Sequence, residues 1–483
     1  MRIAGLEFSG VKSFGSGVNL PLGEISLVYG ANSSGKSTIL QTLLLLKQSL
    51  EVAYSHNPGL LEFRGKYVDL GGFRTLISNH DRQGKIVISL RLSGIKYSED
   101  ALFPAGPTRI RLTFGGDPES DRNVALREVA FEFGEGWVRF DWDLSSQEAK
   151  LASTESSALL AKQMRRLAEE ARRRVPKAVP TLDDGDYLWL RRWMRSHPCQ
   201  LIGWIPYWPP QASLGIGMAG RPAGGWRGSP RYELLTNIVF HWQNLAFRLA
   251  ADLREALESL VYVGPLREFP RRMSMDSGDV SAGVGVRGES LVWHLSRNED
   301  LVSEVNEAFG ILDIPYSLRV EGLRSTNLAD ALGDVAVATL VDRNTDLVVS
   351  TADVGFGVSQ VLPVVVQAMG NTQSLVLIEQ PEIHVHPKMQ SRIMDLLIHS
   401  MRANGNRFLI ETHSEHLLLR AQRRIRQSRP TLNSDELSVF YVAQEGGVSS
   451  ALNVELDENG DINVGWPGGF FDDRLEDLME CGD

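Results

Sequence analysis

The chain has 483 residues, enough for two or three domains, with 43% apolar and 23% charged residues, the balance of a globular protein. Its 50 Lys and Arg against 60 Asp and Glu give a formal charge of −10, which excludes a binder whose whole surface is basic but not a local basic groove. Two cysteines, Cys199 and Cys481, are too few for a disulfide framework or a zinc site; no apolar run reaches the roughly 20 residues of a membrane span and no secretory signal pattern opens the chain, so a cytoplasmic protein with no membrane partner is expected.

Ile3 to Phe8, Ile86 to Leu92 and Arg109 to Phe114 read as strands between glycine-rich turns, so residues 1–140 are expected to be sheet-rich. Within this part Glu24 to Tyr29 is a short β-rich run, and Thr38 to Lys47 reads as a buried helix. Between them stands Gly30-Ala31-Asn32-Ser33-Ser34-Gly35-Lys36-Ser37, two glycines separated by four residues and followed by Lys and Ser. Strand, loop and helix in this order are the context a phosphate loop requires. The glycines let the backbone curl, so the N–H groups of Asn32, Ser33, Ser34 and Gly35 and the helix start at Thr38 face one anion, the phosphates of ATP or GTP. Lys36 adds a charge and Ser37 a hydroxyl for Mg²⁺. Tyr67 to Phe73 and Ser78 to Asp81 form a polar stretch, either a surface loop or a segment that reaches the nucleotide.

From about 144 the composition shifts to helix formers, with Ala158 to Arg174 the clearest helix. Its arginines read as a solvated face balanced by Glu169 and Glu170, with DNA contact as the other reading. The helix is too short for the long coiled-coil arm of chromosome-maintenance ATPases. Residues 203–230, with Trp204, Trp208, Pro209 and Pro210, read as an aromatic irregular loop or a mobile flap, and Tyr232 to Leu257 as a second helix.

Leu260 to Arg272 reads as a buried strand ending in a basic turn. Asp353-Val354-Gly355-Phe356-Gly357-Val358-Ser359-Gln360 is a glycine turn opening an apolar helix, which aims backbone N–H groups and the Ser359 hydroxyl at an anion. A phosphate-loop ATPase needs a carboxylate at the end of a second buried strand to hold the Mg²⁺ shell, and Leu375-Val376-Leu377-Ile378-Glu379 supplies one, so Glu379 and Ser37 are the expected metal pair. Gln380, Pro381, Glu382, His384 and His386 follow in a polar turn. A third strand, Arg407 to Ile410, ends in Glu411-Thr412-His413-Ser414, and His413 is placed to touch a γ-phosphate or its attacking water.

These motifs together resemble the ABC-type ATPase heads of the SMC and OLD (overcoming lysogenization defect) group, often grouped with AAA-family ATPases in prokaryotic defence loci. Gly355 to Gln360 occupies the signature position, Glu379-Gln380-Pro381-Glu382 looks like the acidic second motif, and Glu411 to Ser414 like the switch-histidine loop. Val11-Lys12-Ser13-Phe14, Val263 to Arg267 and Gly465 to Phe471 are similar to further stretches of such heads. The resemblance implies an α/β fold: a P-loop NTPase with an ABC-type ATPase head, two-lobed with a sheet-rich N-terminal lobe, and a mostly helical insertion. The implied division is 1–140, 141–260 and 261–483. It further implies that ATP with Mg²⁺ joins two copies, with Gly357 and Ser359 of one facing Lys36 of the other, and that the catalytic residues lie among Glu379, Gln380, Glu382 and His413.

Two departures stand out. The usual second acid is Gln380, an amide that cannot accept a proton, so hydrolysis is expected to be slow or to use Glu382 as base. OLD proteins carry a fused Toprim nuclease, but only about 70 residues follow His413, and Asp457 to Asp461 reads as a hairpin turn, so any nuclease is expected on a separate chain. The reading that results is an ATPase controlling a separately encoded nuclease or toxin in antiviral defence, as a dimer or higher oligomer. The alternatives are a DNA-repair ATPase of the recombination-mediator type, which predicts DNA-stimulated hydrolysis, and a scaffold with structural ATP.

Overall fold

The computed structural model describes residues 1–55, 59–81, 83–97, 101–117, 120–143, 145–174, 182–209, 230–269, 271–275, 284–323, 335–427, 429 and 431–462. They divide into two compact units, one of residues 1–21 and 41–258, the other of 22–40 and 259–483. The expected tail motif at Gly465 to Phe471 lies outside the described residues, as do residues 210–229 of the expected flap.

The first unit is built on a seven-stranded sheet with the spatial order Val18–Pro21, Arg2–Ser9, Lys85–Ser93, Arg109–Asp117, Ser120–Phe133, Gly136–Asp143 and Glu148–Leu151, every neighbour antiparallel. Alternate residues such as Ile86, Ile88, Leu90 and Leu92 are buried, the period of two that a half-covered sheet requires. The helices Thr154–Arg174, Asp184–Ser196 and Pro230–Glu258 accompany it, the first packed on Gly136–Asp143. The second starts at Asp183, whose side chain accepts from Asp186 N. Residue 140 falls inside the strand Gly136–Asp143, and the sheet continues to Leu151.

The flap reading fails for residues 203–209. Ile205–Tyr207 pairs with Gln200–Ile202, and Trp204 and Trp208 are fully buried. Trp208 Nε1 donates to His197 O at 3.2 Å and Trp242 Nε1 to Pro206 O at 2.8 Å, so these polar tips are satisfied inside the core. Trp242 in turn lies 5.3 Å from Phe140 and 6.1 Å from Phe131 between ring centres. Two arginines of Thr154–Arg174 pair with acids, Arg166 with Glu170 at 3.0 Å and Arg165 with Asp184. Cys199 is buried and its thiol is held above the usual range by burial alone, a packing residue.

The second unit carries a six-stranded sheet in the order Leu260–Val263, Leu375–Glu379, Arg407–Glu411, Ile25–Gly30, Leu437–Glu445 and Val448–Val454. The first five are parallel and the last antiparallel. Three inner strands, Ile25–Gly30, Leu375–Glu379 and Arg407–Glu411, are buried at every residue, as a parallel sheet covered on both faces must be. Helices Glu299–Leu312, Phe356–Met369, Pro387–Asn404 and Glu415–Ile425 belong to this unit, and a smaller four-stranded sheet is formed around the pair Tyr316–Leu323 and Val335–Asp342. Asp457 to Asp461 is the expected turn, with the Asp457 carboxylate accepting from Asn459 N and Asp461 N, both at 2.8 Å. The fold is thus the expected α/β P-loop NTPase with a sheet-rich N-terminal part.

Candidate functional site

The phosphate loop leaves the strand Ile25–Gly30 and enters the helix Lys36–Ser55. Gly30 has φ 149 and a Cβ built on it would lie 2.3 Å from Val442 O, so a side chain has no room there; Gly35 has φ 108, again a glycine conformation. The loop is braced from Val448–Val454, the next strand but one, with Ser449 Oγ donating to Ser34 O at 2.6 Å. Ser34 is buried, and its own Oγ has no hydrogen-bond partner. Asn32 and Ser33 are exposed, while Thr38 is buried in the first helical turn, its N–H donating to Gly35 O at 3.0 Å. Lys36 is 4% exposed and its Nζ donates to Gly30 O at 3.0 Å and Ala31 O at 2.8 Å. Burial pulls its pKa down, and the carboxylates of Glu411 and Glu382 pull it back up.

Parallel strands end together, so their C-terminal residues gather at one edge of the sheet, the edge where open α/β sheets bind ligands. Ile378 pairs with Ile410 and Ile410 with Leu27, which sets Glu379 level with Glu411 and Glu411 level with Val28, two residues before the loop's first glycine. The loop strand's neighbour is therefore Arg407–Glu411, and the strand ending in Glu379 is one further out. Burial raises the pKa of Glu411, which lies where the Ser37 side chain and the Lys36 charge both act to lower it. Its Oε2 is buried without a partner. Tyr262 Oη, on the outer strand, donates to Glu379 Oε1 at 2.8 Å. The strand Arg407–Glu411 thus stands between the loop strand and the strand that ends in Glu379, the acid expected to share a Mg²⁺ shell with Ser37.

Arg267, read from sequence as part of a basic turn, is buried at 6% exposure. Its Nη2 donates to Glu379 O at 2.9 Å and Gln380 O at 3.3 Å, and burial lowers its pKa to about 10. Gln380 has φ 46, a left-handed conformation uncommon for a side-chain-bearing residue, and its N–H donates to Glu411 O at 2.7 Å. Glu382 holds the next loop: its Oε1 accepts from His413 N at 2.6 Å, while its Oε2 is buried and unpartnered. Burial raises the Glu382 pKa against the pull of these hydrogen bonds. His413 is half-buried with a lowered pKa, from burial first and the Lys36 charge second. His384 and His386 are exposed, and His386 Nδ1 accepts from Lys388 N at the start of Pro387–Asn404, a capping role.

Gly355 to Gln360 does open a helix, Phe356–Met369, with Gly355 exposed at its cap. Gly357 packs against His384 O, 3.0 Å from where a Cβ would stand. Ser359, expected to offer its hydroxyl outward, is only 6% exposed and lines a cavity of about 50 Å³ with Glu268, Phe269, Arg271 and Pro363. A bidentate ion pair between Arg272 and Asp353 ties the covering segment to the glycine turn, with one contact at 2.7 Å.

Sequence reasoning missed Glu411, Tyr262 and Arg267. Their signal was weak but present: Glu411 ends a buried strand, and Tyr262 and Arg267 belong to the stretch Leu260 to Arg272.

Residues 231–420 match the family described as "AAA domain, putative AbiEii toxin, Type IV TA system", and residues 432–480 match "Protein of unknown function (DUF3696)". The first match spans the acidic motif and the switch loop but not the phosphate loop. No curated protein matches the chain. Among solved structures, the SMC head bound to the C-winged helix domain of ScpA aligns at 13% identity and a TM-score of 0.40, covering 95% of this chain and 98% of that one. The SMC head domain from Thermotoga maritima aligns at 10% identity and 0.38, covering 94% and 100%, and an SMC head with extended coiled coil from Pyrococcus furiosus at 12% and 0.38, covering both chains fully. Superpositions this loose add nothing to the sheet order already described. The family match over residues 231–420 is to an AAA domain, and it takes in three of the six strands of the parallel sheet in which the phosphate loop is seated.

Proposed function

We propose that this chain binds ATP with Mg²⁺ at the phosphate loop, hydrolyses it slowly, and uses it to join two copies that control a separately encoded effector. The observation that carries the reading is the gathering of Lys36, Ser37, Glu379, Glu382 and Glu411 at one sheet edge, where two carboxylate oxygens are buried without partners. Mg²⁺ is commonly held by one or two protein oxygens together with phosphates and waters. When bound, such an ion offsets the charge of the phosphates.

Slow turnover follows from Gln380, which has no basic oxygen to take a proton, and from the engagement of Glu382 in holding the His413 loop. The same residues favour the scaffold alternative, which tight nucleotide retention without turnover would support. Stimulation of turnover by DNA would instead favour the repair reading. The nuclease or toxin partner and the defence role rest on the resemblance of the motifs, and the description of the matched family also names a toxin. No helix of the described residues is long and apolar enough to cross a membrane.

The dimer needs the start of Phe356–Met369 to meet a phosphate held by a second copy, and the residues around Ser359 then have to shift to uncover its hydroxyl. Gly355 is the better place to test this, since a Cβ there meets open space and Arg is tolerated by its φ of −51. Gly355→Arg should keep ATP binding and lose ATP-dependent dimerisation in light scattering. Dimerisation at the parental level in that variant would refute the arrangement.

A further inference from the structure

We propose that Gln390 is a positioning residue: through Ser414 it fixes the backbone of His413 against the turn that follows the strand Leu375–Glu379. The proposal rests on the ATP-hydrolysis reading above and adds to it the side chain that sets the switch-loop histidine in place.

A carboxamide has one donating and one accepting end, and its surroundings decide which way round it sits. Gln390 stands in the first turn of Pro387–Asn404, its own N–H donating to His386 O at 3.0 Å. One end of its side chain meets two backbone carbonyls, Val385 O at 2.8 Å and Glu382 O at 3.4 Å. Carbonyls only accept, so this end is Nε2. The other end, Oε1, therefore takes the proton of the Ser414 hydroxyl, 2.7 Å away. In this way Gln390 ties two segments remote in sequence, the turn Glu382 to Val385 and the loop at His413.

Ser414 gives up a local role to make this contact. It is the N-cap residue of Glu415–Ile425, where a serine oxygen ordinarily accepts from the free N–H groups of the first turn. Its side chain makes no such bond, and its hydroxyl goes to Gln390 instead. The caps at Asp183 and Asn298, away from the strand ends, keep theirs. A local rule broken in favour of a tertiary contact is the mark of a place where function sets the geometry.

The same loop is clamped from two further sides. Tyr29, fully buried just before Gly30, donates from Oη to Ser414 O at 3.0 Å, and His413 N donates to Glu382 Oε1 at 2.6 Å. None of these bonds uses the His413 ring. The backbone is held from the phosphate-loop strand, from the turn and from Pro387–Asn404, and the imidazole is left to meet a ligand. Gly357 packs on the same turn, with His384 O 3.0 Å from where a Cβ would stand, so one piece of backbone sets both the histidine and the start of Phe356–Met369.

The test is steady-state ATP hydrolysis by the full chain and by Gln390→Glu, Gln390→Leu, Ser414→Ala, the double variant Gln390→Leu with Ser414→Ala, and His413→Ala. Gln390→Glu keeps the size of the side chain but turns an oxygen toward Val385 O, while Ser414→Ala leaves Gln390 its two carbonyls. Each single change at Gln390 or Ser414 should lower kcat by about tenfold, and KM and the affinity for a fluorescent ATP analogue should change less than about threefold, because the phosphates are held elsewhere, by the loop at Lys36. The double variant should fall within about twofold of the worse single one, since both remove one link, and no loss should exceed that of His413→Ala. Analogue binding at the parental affinity shows that a variant is folded; should the Gln390 variants fail to fold, Ser414→Ala decides. Parental kcat in Ser414→Ala, a loss seen in KM alone, additive losses in the double variant, or a loss larger than that of His413→Ala overturns the assignment and leaves the ATP reading intact. A parent that binds the analogue without turnover removes the hydrolysis reading, one that does not bind it removes the ATP reading, and the proposal falls with either.

Discussion

The two units bury different kinds of atoms. The first fills its interior with rings, Trp204, Trp208, Trp242, Phe131 and Phe140, packed on an antiparallel sheet. The second buries Lys36, Arg267, Glu379 and Glu411 at the ends of parallel strands. Burying a ring releases water from apolar surface, whereas burying a charge costs free energy unless a partner offsets it. The first unit therefore gathers stability, and the second spends part of its own on a place where charge is required. Register explains the concentration of cost: parallel strands end on one line, so acids from separate segments of sequence arrive together.

The largest effect should come from the second unit's one loop cation. Lys36→Ala removes the charge that serves the phosphates and leaves a small residue where the side chain now bonds only to carbonyls of its own loop. Nucleotide binding by titration calorimetry should be abolished while unfolding changes little. Unchanged ATP affinity would end the distinction drawn between the units, since the buried charges would then serve only the fold.

The complementary change is Trp242→Ala. It removes a side chain 2% exposed and in contact with three rings, and the loss should destabilise the chain by about 3 to 5 kcal/mol in denaturant unfolding. ATP affinity well below the new melting temperature should be kept. A parallel fall in affinity would show that the aromatic core also sets the geometry of the loop.

How far the sequence revealed all this differs by region for a physical reason. The loop from Gly30 to Ser37 was legible because its chemistry needs fixed residues at fixed spacing within one turn of chain. The helix after Gly355 and the turn at Asp457 were legible on the same local grounds. Trp204 and Trp208 were misread, because the prolines and glycines that follow signal irregular chain, while burial depends on Phe140 and Trp242, distant in sequence. Glu411 and Glu379 both end buried strands, and nothing local says which lies beside the loop. That depends on sheet order, a non-local property. Ser359 was placed correctly on a helix start, but the cover from Glu268 to Ser274 comes from a segment about 90 residues earlier.

The smallest expected effect tests the first unit's exception to the comparison. Lys47 is a buried cation there, 7% exposed, with Nζ donating to Glu258 O at 2.8 Å and lying 5.0 Å from the Tyr67 ring centre. Burial lowers its pKa from 10.5 to about 8, with Glu51 and Glu258 pulling upward and Lys66 downward. Between pH 8 and 10.5 the unfolded chain therefore holds a proton that the folded chain has released, so stability rises with pH in that window; below pH 8 both states are protonated and Lys47 adds no slope. One unit of pH inside the window is worth at most about 1.4 kcal/mol, so the gain from pH 8 to 9.5 should be about 1 to 2 kcal/mol. The reading stops short of pH 10, where Tyr54 and Tyr67, both with raised pKa values, act in the opposite sense. Lys36, also lowered, adds a slope of the same sign from the second unit, and comparison with Lys47→Met separates the two. The unfolding free energy of Lys47→Met should rise less than the parent's over this range by about that amount. Equal slopes would mean that Lys47 keeps its charge solvated, and that the first unit holds no buried charge of the kind the second gathers at its strand ends.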